Sequence, residues 1–151
     1  MKEKQFAATI ARAGSKVFVE LPFDPNEVWG AKMRHYITGE VSGCPVRGAL
    51  NQEGKGYVIP LGPAWRRDFG LDAGDEVEVT LAPEGPQFED LAPDLAAALE
   101  AEPQARAFFE ALATFYRTGY LKWIDGAHKP EARAARIDQV VALLKAGKKK
   151  R

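Results

Sequence analysis

Val17-Phe-Val-Glu-Leu-Pro22, then Trp29-Gly30, then Tyr36-Ile-Thr-Gly-Glu-Val41: this order of strand, proline stop, aromatic-glycine and strand occurs twice in the 151-residue chain. The second copy reads Tyr57-Val-Ile-Pro60, Phe69-Gly70 and Val77-Glu-Val-Thr-Leu81. A shift of 40 residues places Trp29-Gly30 on Phe69-Gly70, Ile37 on Val77 and Val41 on Leu81, while the upstream prolines need a gap of two. Within each copy the apolar residues alternate, as in Val17, Val19 and Leu21, which is the period of a half-buried strand. The proline then ends the ladder because it has no N–H to donate. Two such units pair into a small closed β-barrel with an internal pseudo-repeat, an arrangement that leaves no free edge.

Outward from this core, residues 5–10 read as a first strand, residues 12–15 as a turn around Gly14, and residues 46–50 as the hairpin partner of 36–41. Residues 51–56 read as a loop. Six or seven short strands at this spacing argue for a barrel or sandwich rather than a parallel sheet. Asp24-Pro25 and residues 64–69 each suit a single helical turn, the second closed by Gly70. At Pro83-Glu-Gly-Pro86 the strand signals stop. Helices are expected over residues 93–99, from Pro103 with Phe108, Leu112 and Phe115 at i, i+4 and i+7, from an N-capping Thr118, and from Pro130 to Gly147 with a stripe of Ile137, Val140, Val141 and Leu144. The fold class is therefore α+β: a barrel domain at 1–83, a proline-rich acidic connector at 84–92, and a helical module at 93–151 ending in a frayed basic tail.

Composition narrows the function classes. The chain is 46% apolar and 28% charged, ordinary for a globular protein. Cys44 is the single cysteine, so neither an internal disulfide nor a cysteine-based metal site is available. The N-terminal Met-Lys-Glu-Lys-Gln-Phe lacks the apolar run of a secretion signal, and no stretch is long and apolar enough to span a bilayer. A cytoplasmic location is expected. Net charge is zero but uneven: residues 1–83 carry 10 basic and 11 acidic side chains, residues 84–120 carry 2 and 7, and residues 121–151 carry 9 and 3. The basic end either faces the acidic connector or serves an anionic partner.

The order of motifs resembles known families. Gly39…Gly43-Cys-Pro45-Val-Arg47-Gly48-Ala-Leu50, Gly56-Tyr-Val-Ile-Pro60 and Gly70-Leu-Asp-Ala-Gly74-Asp75-Glu-Val-Glu-Val79 resemble the small β-barrel domain of unknown function that often precedes a helical module. Tyr120-Leu-Lys-Trp123-Ile124…Ala127-His-Lys129-Pro-Glu131-Ala-Arg133…Arg136-Ile137 resembles that module, the bacteriocin-protection, YdeI or OmpD-associated family. Ala132 stands where the family usually has threonine. The resemblance implies a setting of bacteriocin, antimicrobial-peptide or envelope stress, and no established reaction, ligand or cofactor.

The residues themselves supply no catalytic set. Ser42 falls one position late for a G-x-S-x-G elbow. Gly48 to Gly56 has five residues before Gly54-Lys55, and Gly56 stands where a P-loop needs Ser or Thr. His35 and His128 are 93 positions apart, too far to read as a metal pair. His35, after Arg34, is expected to be exposed. The most informative constellation is basic: Lys129, Arg133 and Arg136 share one helical face, and Trp123 on the preceding helix can lie under an arginine. Arg47, Arg66 and Arg67 give the barrel a further possible anion face. The bland reading is that the helical arginines pair with the acidic segment Glu84–Glu110. The leading expectation is a non-enzymatic bacterial binding protein taking an anionic small molecule or a protein partner. One alternative is a nucleic-acid-binding regulator, because residues 59–79 also resemble AbrB-type barrels, although Asp72, Asp75, Glu76 and Glu78 make that segment acidic. Another is an enzyme acting on a small metabolite.

Overall fold

The computed structural model describes residues 2–151, and these divide into two compact units: residues 2–31 with 35–83, and residues 32–34 with 84–151. The first unit holds eight strands: β1 (Lys4–Thr9), β2 (Ala11–Ala13), β3 (Lys16–Glu20), β4 (Tyr36–Val41), β5 (Cys44–Ala49), β6 (Asn51–Glu53), β7 (Gly56–Pro60) and β8 (Glu76–Pro83). Two short helices interrupt them, α1 (Pro25–Val28) and α2 (Pro63–Phe69). Asp24 Oδ1 accepts the Asn26 N–H at 2.9 Å to cap α1, and Gly70, at φ +67°, closes α2 from the left-handed region that glycine enters freely.

The strands lie in two four-stranded antiparallel sheets, ordered β1-β8-β4-β5 and β2-β3-β7-β6. Only Ile10 separates β1 from β2, and only Leu50 separates β5 from β6. At these two buried residues the chain turns from one sheet into the other. The residues expected to be a turn (12–15) and a loop (51–56) therefore contain strands. Both strands are only three residues long and carry no large apolar side chain, as the sheet's outer strands, with Arg12, Gln52 and their neighbours largely in solvent. Tight turns at Gly14 (φ +63°) and Gly54 (φ +61°) follow them.

The registers repeat at 40 residues without a gap. Val19 pairs with Ile59 and Glu40 with Thr80, while Lys4↔Leu81 and Cys44↔Val41 interchange under the same shift. The Leu21 N–H donates to the Tyr57 carbonyl and the Leu61 N–H to the Val17 carbonyl, each at 2.9 Å. Leu21 and Leu61 are thus the equivalent positions, and the two-residue gap suggested by Pro22 and Pro60 disappears. Val17, Val19, Ile37, Val41, Ile59, Val77, Val79 and Leu81 fill the interior together with Trp29. Their burial is the main favourable term for the unit.

His35 is buried, at 3% exposure, rather than exposed. Its Nε2 lies 2.7 Å from Asn26 Oδ1 and its ring meets Tyr57 edge-on, while Asn26 Nδ2 donates to the Tyr57 hydroxyl at 3.0 Å. The partners that cover it are 9 and 22 positions away, out of reach of a reading based on its neighbour Arg34.

The helical unit contains a 3-10 turn at Phe88–Asp90 and four helices: α3 (Pro93–Glu100), α4 (Pro103–Ala111), α5 (Thr114–Asp125) and α6 (Pro130–Lys145). Its interior is built from Leu95, Leu99, Phe109, Leu112, Tyr120, Ile124, Ile137, Val140 and Leu144. The helix expected to carry Phe115 inward ends at Ala111, and the chain restarts at Thr114. Phe115 consequently points outward and is 77% exposed. Thr118 lies inside α5 rather than at its start, donating from its hydroxyl to the Thr114 carbonyl at 3.0 Å. Among the described residues no helix is long and apolar enough to cross a membrane.

Candidate functional site

Helix α5 has two faces. Tyr120 and Ile124 are buried in the helical core and Arg117 is buried against residues 84–86, while Phe115, Gly119 and Trp123, spaced four apart, lie along another side. The buried phenol of Tyr120 donates to the Lys148 carbonyl at 2.6 Å, and burial raises its pKa above 10.0. Gly147, at φ +74°, turns the chain after α6, and the Lys148 N–H donates back to the Leu143 carbonyl at 2.9 Å. These two contacts bring the tail against α5 instead of leaving it frayed.

Basic side chains then cover aromatic rings. The Arg151 guanidinium sits 4.3 Å from the Trp123 ring centre, with Arg136 at 5.0 Å from the same ring. Lys149 Nζ is 5.7 Å from the Tyr116 ring. Each geometry suits attraction between a cation and the negative face of the ring. Arg136 also donates from Nη1 to the Trp123 carbonyl at 2.6 Å. Among the described residues, Lys148, Lys149, Lys150 and Arg151 have no carboxylate within ion-pair distance, and neither has Lys129, which stands apart at the other end of α6. The face thus carries positive charge that the fold does not neutralise.

Arg133 behaves differently. Its Nε and Nη2 reach Asp94 at 2.6 and 3.0 Å, and its Nη1 reaches Asp125 at 2.9 Å. The hydrogen bond from Arg133 holds the Asp94 carboxyl below its usual 3.8. Arg133 therefore ties α6 to α3 and α5. Lys145 pairs with Glu102 at 3.2 Å, and Arg106 with Glu110 at 2.6 Å while lying 3.7 Å over the Phe88 ring. Internal pairing with the acidic segment thus accounts for Arg133, and for neither Lys129 nor the tail. Phe115 and the tail residues carry little sequence signal: Phe115 continues an apolar period across a helix break, and the tail has the composition of a solvated charge run.

In the β unit, Arg66 folds back on its own loop, donating to the Leu61 carbonyl at 3.2 Å and to Asp72 Oδ1 at 3.0 Å. The Ala73 N–H and then Arg66 hold the Asp72 carboxyl below its usual value. Arg67 is exposed, with Asp68 at 3.8 Å, and Arg47 is exposed on β5 opposite Thr38. Cys44 is half-buried, its thiol directed at the Ser42 carbonyl at 3.8 Å.

Two family models match the chain. The domain of unknown function DUF1905 matches residues 6–81, and the model described as bacteriocin-protection, YdeI or OmpD-associated matches residues 90–147. No curated protein sequence gives a significant match.

Proposed function

We propose, since the chain belongs to the DUF1905 family and carries a bacteriocin-protection, YdeI or OmpD-associated module behind that domain, that it is a non-enzymatic bacterial binding protein whose helical unit receives an anion. One observation carries the reading: the Trp123 ring is covered by two guanidiniums, Arg136 and Arg151, within a basic face that lacks carboxylate partners. A guanidinium lying on an indole keeps its N–H edge available for an oxyanion and loses little of its hydration in doing so. Trp123 and Arg136 of the sequence constellation contribute to this face with Lys148–Arg151, whereas Lys129 lies at the opposite end of α6 and Arg133 ties α6 to α3 and α5. The stress-resistance setting is drawn from the family description, and we place the protein in the cytoplasm.

Titration with inorganic polyphosphate at about 50 mM salt should give saturable binding that weakens as salt displaces it, because each neutralised phosphate releases a counterion. Lys149→Ala with Arg151→Ala should weaken it at least tenfold. Arg133→Ala should lower thermal stability and leave affinity within about twofold. Unchanged affinity in the double variant would remove the proposed face.

We also read the two sheets as halves of one closed barrel built from a duplicated unit. The reading is supported by the corner residues Ile10 and Leu50, through which the pairings run β1-β8-β4-β5, then β6-β7-β3-β2, and back to β1. With it goes a division into a barrel domain at 1–83, a connector at 84–92 and a helical module at 93–151. Limited proteolysis should spare residues 57–81, because paired strands resist the local opening that a protease needs. Early cleavage within 57–81 would contradict the division.

A further inference from the structure

Gly119 has no structural reason to be glycine. It lies in the middle of α5 with ordinary helical backbone, and a Cβ added there would meet nothing within 4 Å. Glycine inside a helix is unfavourable relative to alanine, so packing and propensity both favour a larger residue. Its missing side chain leaves a slot of about 240 Å³ lined by Phe115, Tyr116, Gly119, Tyr120 and Lys149–Arg151. The walls are aromatic: Phe115 and Tyr116 meet edge to face at 5.3 Å between ring centres. The rim is the unpaired basic tail.

We propose that this slot binds a nucleotide, with the base entering over Gly119 against Phe115 and Tyr116 and the phosphate meeting Lys149, Lys150 and Arg151. The inference rests on the anion-face reading above and adds the ring to it. A simple inorganic anion has no use for the aromatic walls. A slot of this volume is below the usual range for drug-sized ligands and suits a single ring system with its substituent. A lipid surface fits poorly, because interfacial helices insert a broad apolar face, whereas Phe115 is the one strongly exposed large apolar side chain of α5 and guanidiniums cover Trp123. Base-paired duplexes hide the ring faces. An unpaired nucleotide presents both the π surface and the phosphate, and every base can stack. Its source is either a free nucleotide or an unpaired position in a single strand.

The test is fluorescence anisotropy of the full chain with a labelled oligothymidylate of about eight nucleotides, within the usual range of single-strand site sizes. Saturable binding is expected, at least tenfold tighter than to a duplex of equal length. Phe115→Ala should weaken it about tenfold. Gly119→Leu should weaken it as much by filling the slot, while Tm stays level or rises by about 2–4 °C because a helical glycine is removed. Competition by thymidine monophosphate at millimolar concentration would identify the free nucleotide as the source, and competition only by unlabelled oligomer the strand; either outcome supports the site. Binding that survives both Phe115→Ala and Gly119→Leu but is lost with Lys149→Ala and Arg151→Ala would overturn the nucleotide and leave the anion face standing. Binding insensitive to all four substitutions would overturn both. No binding to oligomer or mononucleotide, with or without binding to anionic phosphatidylglycerol vesicles, also rejects the nucleotide.

Discussion

Replacing Gly39 with alanine should destabilise the β unit by about 3 kcal/mol or more, toward the upper end of what overpacking costs. Gly39 is on β4, paired with Val46 of β5 on one side and Leu81 of β8 on the other. A Cβ there would lie 1.9 Å from the Thr80 carbonyl oxygen, 2.9 Å from its carbon and 3.0 Å from the Leu81 Cα. All three atoms are backbone, so no side chain can swing aside. β8 is itself held between β1 and β4, and relief requires prying apart the middle of a four-stranded sheet. Gly14→Ala is the useful comparison: that glycine is exposed at φ +63° with open space around it, so alanine should cost only the left-handed penalty of about 1–2 kcal/mol. Urea denaturation followed by far-UV circular dichroism compares the two. Equal costs would mean that β4 and β8 do not approach as closely as described.

What made the strands legible was alternation. Val17, Val19 and Leu21, and again Val77, Val79 and Leu81, point inward at period two and are all buried. The corners were not legible. Ile10 and Leu50 each carry the chain from one sheet to the other, and the outer strands beyond them, Ala11–Ala13 and Asn51–Glu53, have too few apolar residues to declare themselves. The glycines gave a better guide than the prolines. Gly14 and Gly54, like Gly30 and Gly70, lie 40 apart at positive φ, because turn geometry restrains them, whereas Pro22 and Pro60 sit at non-equivalent places.

The helical face was legible in part. A tryptophan under an arginine follows from Trp123 and the spacing of Arg133 and Arg136, and Arg136 lies over that ring. Phe115 was not, because the apolar period runs across the break at Leu112-Ala113 as though one helix continued. Nor was the placement of the tail, which depends on a hydrogen bond between Tyr120 and Lys148, 28 residues apart. Charge runs are read as solvated by default, and only a tertiary contact distinguishes one that is held.

Arg117 shows the same limit from the stability side, and its loss should cost the helical unit about 3 kcal/mol. It is 3% exposed, and its guanidinium donates to the Pro86 carbonyl from Nη1 and to the Glu84 carbonyl from Nη2, both at 2.8 Å. Hydrogen bonds to charged groups contribute about 1.5–3 kcal/mol each, and partial rehydration of half-buried carbonyls keeps the sum near the lower end. In a chain of this length that corresponds to a fall in Tm of roughly 6–12 °C. The fork shape matters, since a lysine offers one point charge and cannot address two carbonyls in fixed geometry. Arg117→Lys should therefore recover less than half of the loss. Gly85 reports on the same contact from the other partner. At φ +80° it packs so closely that a Cβ would lie 2.8 Å from Thr114 Oγ1 and 2.9 Å from Arg117 Nη2, so Gly85→Ala should destabilise through strain and by displacing the guanidinium. Because both changes act on one interaction, Gly85→Ala combined with Arg117→Ala should cost clearly less than the sum of the two. Additive losses in thermal melts would show that Arg117 does not hold the connector through Glu84 and Pro86.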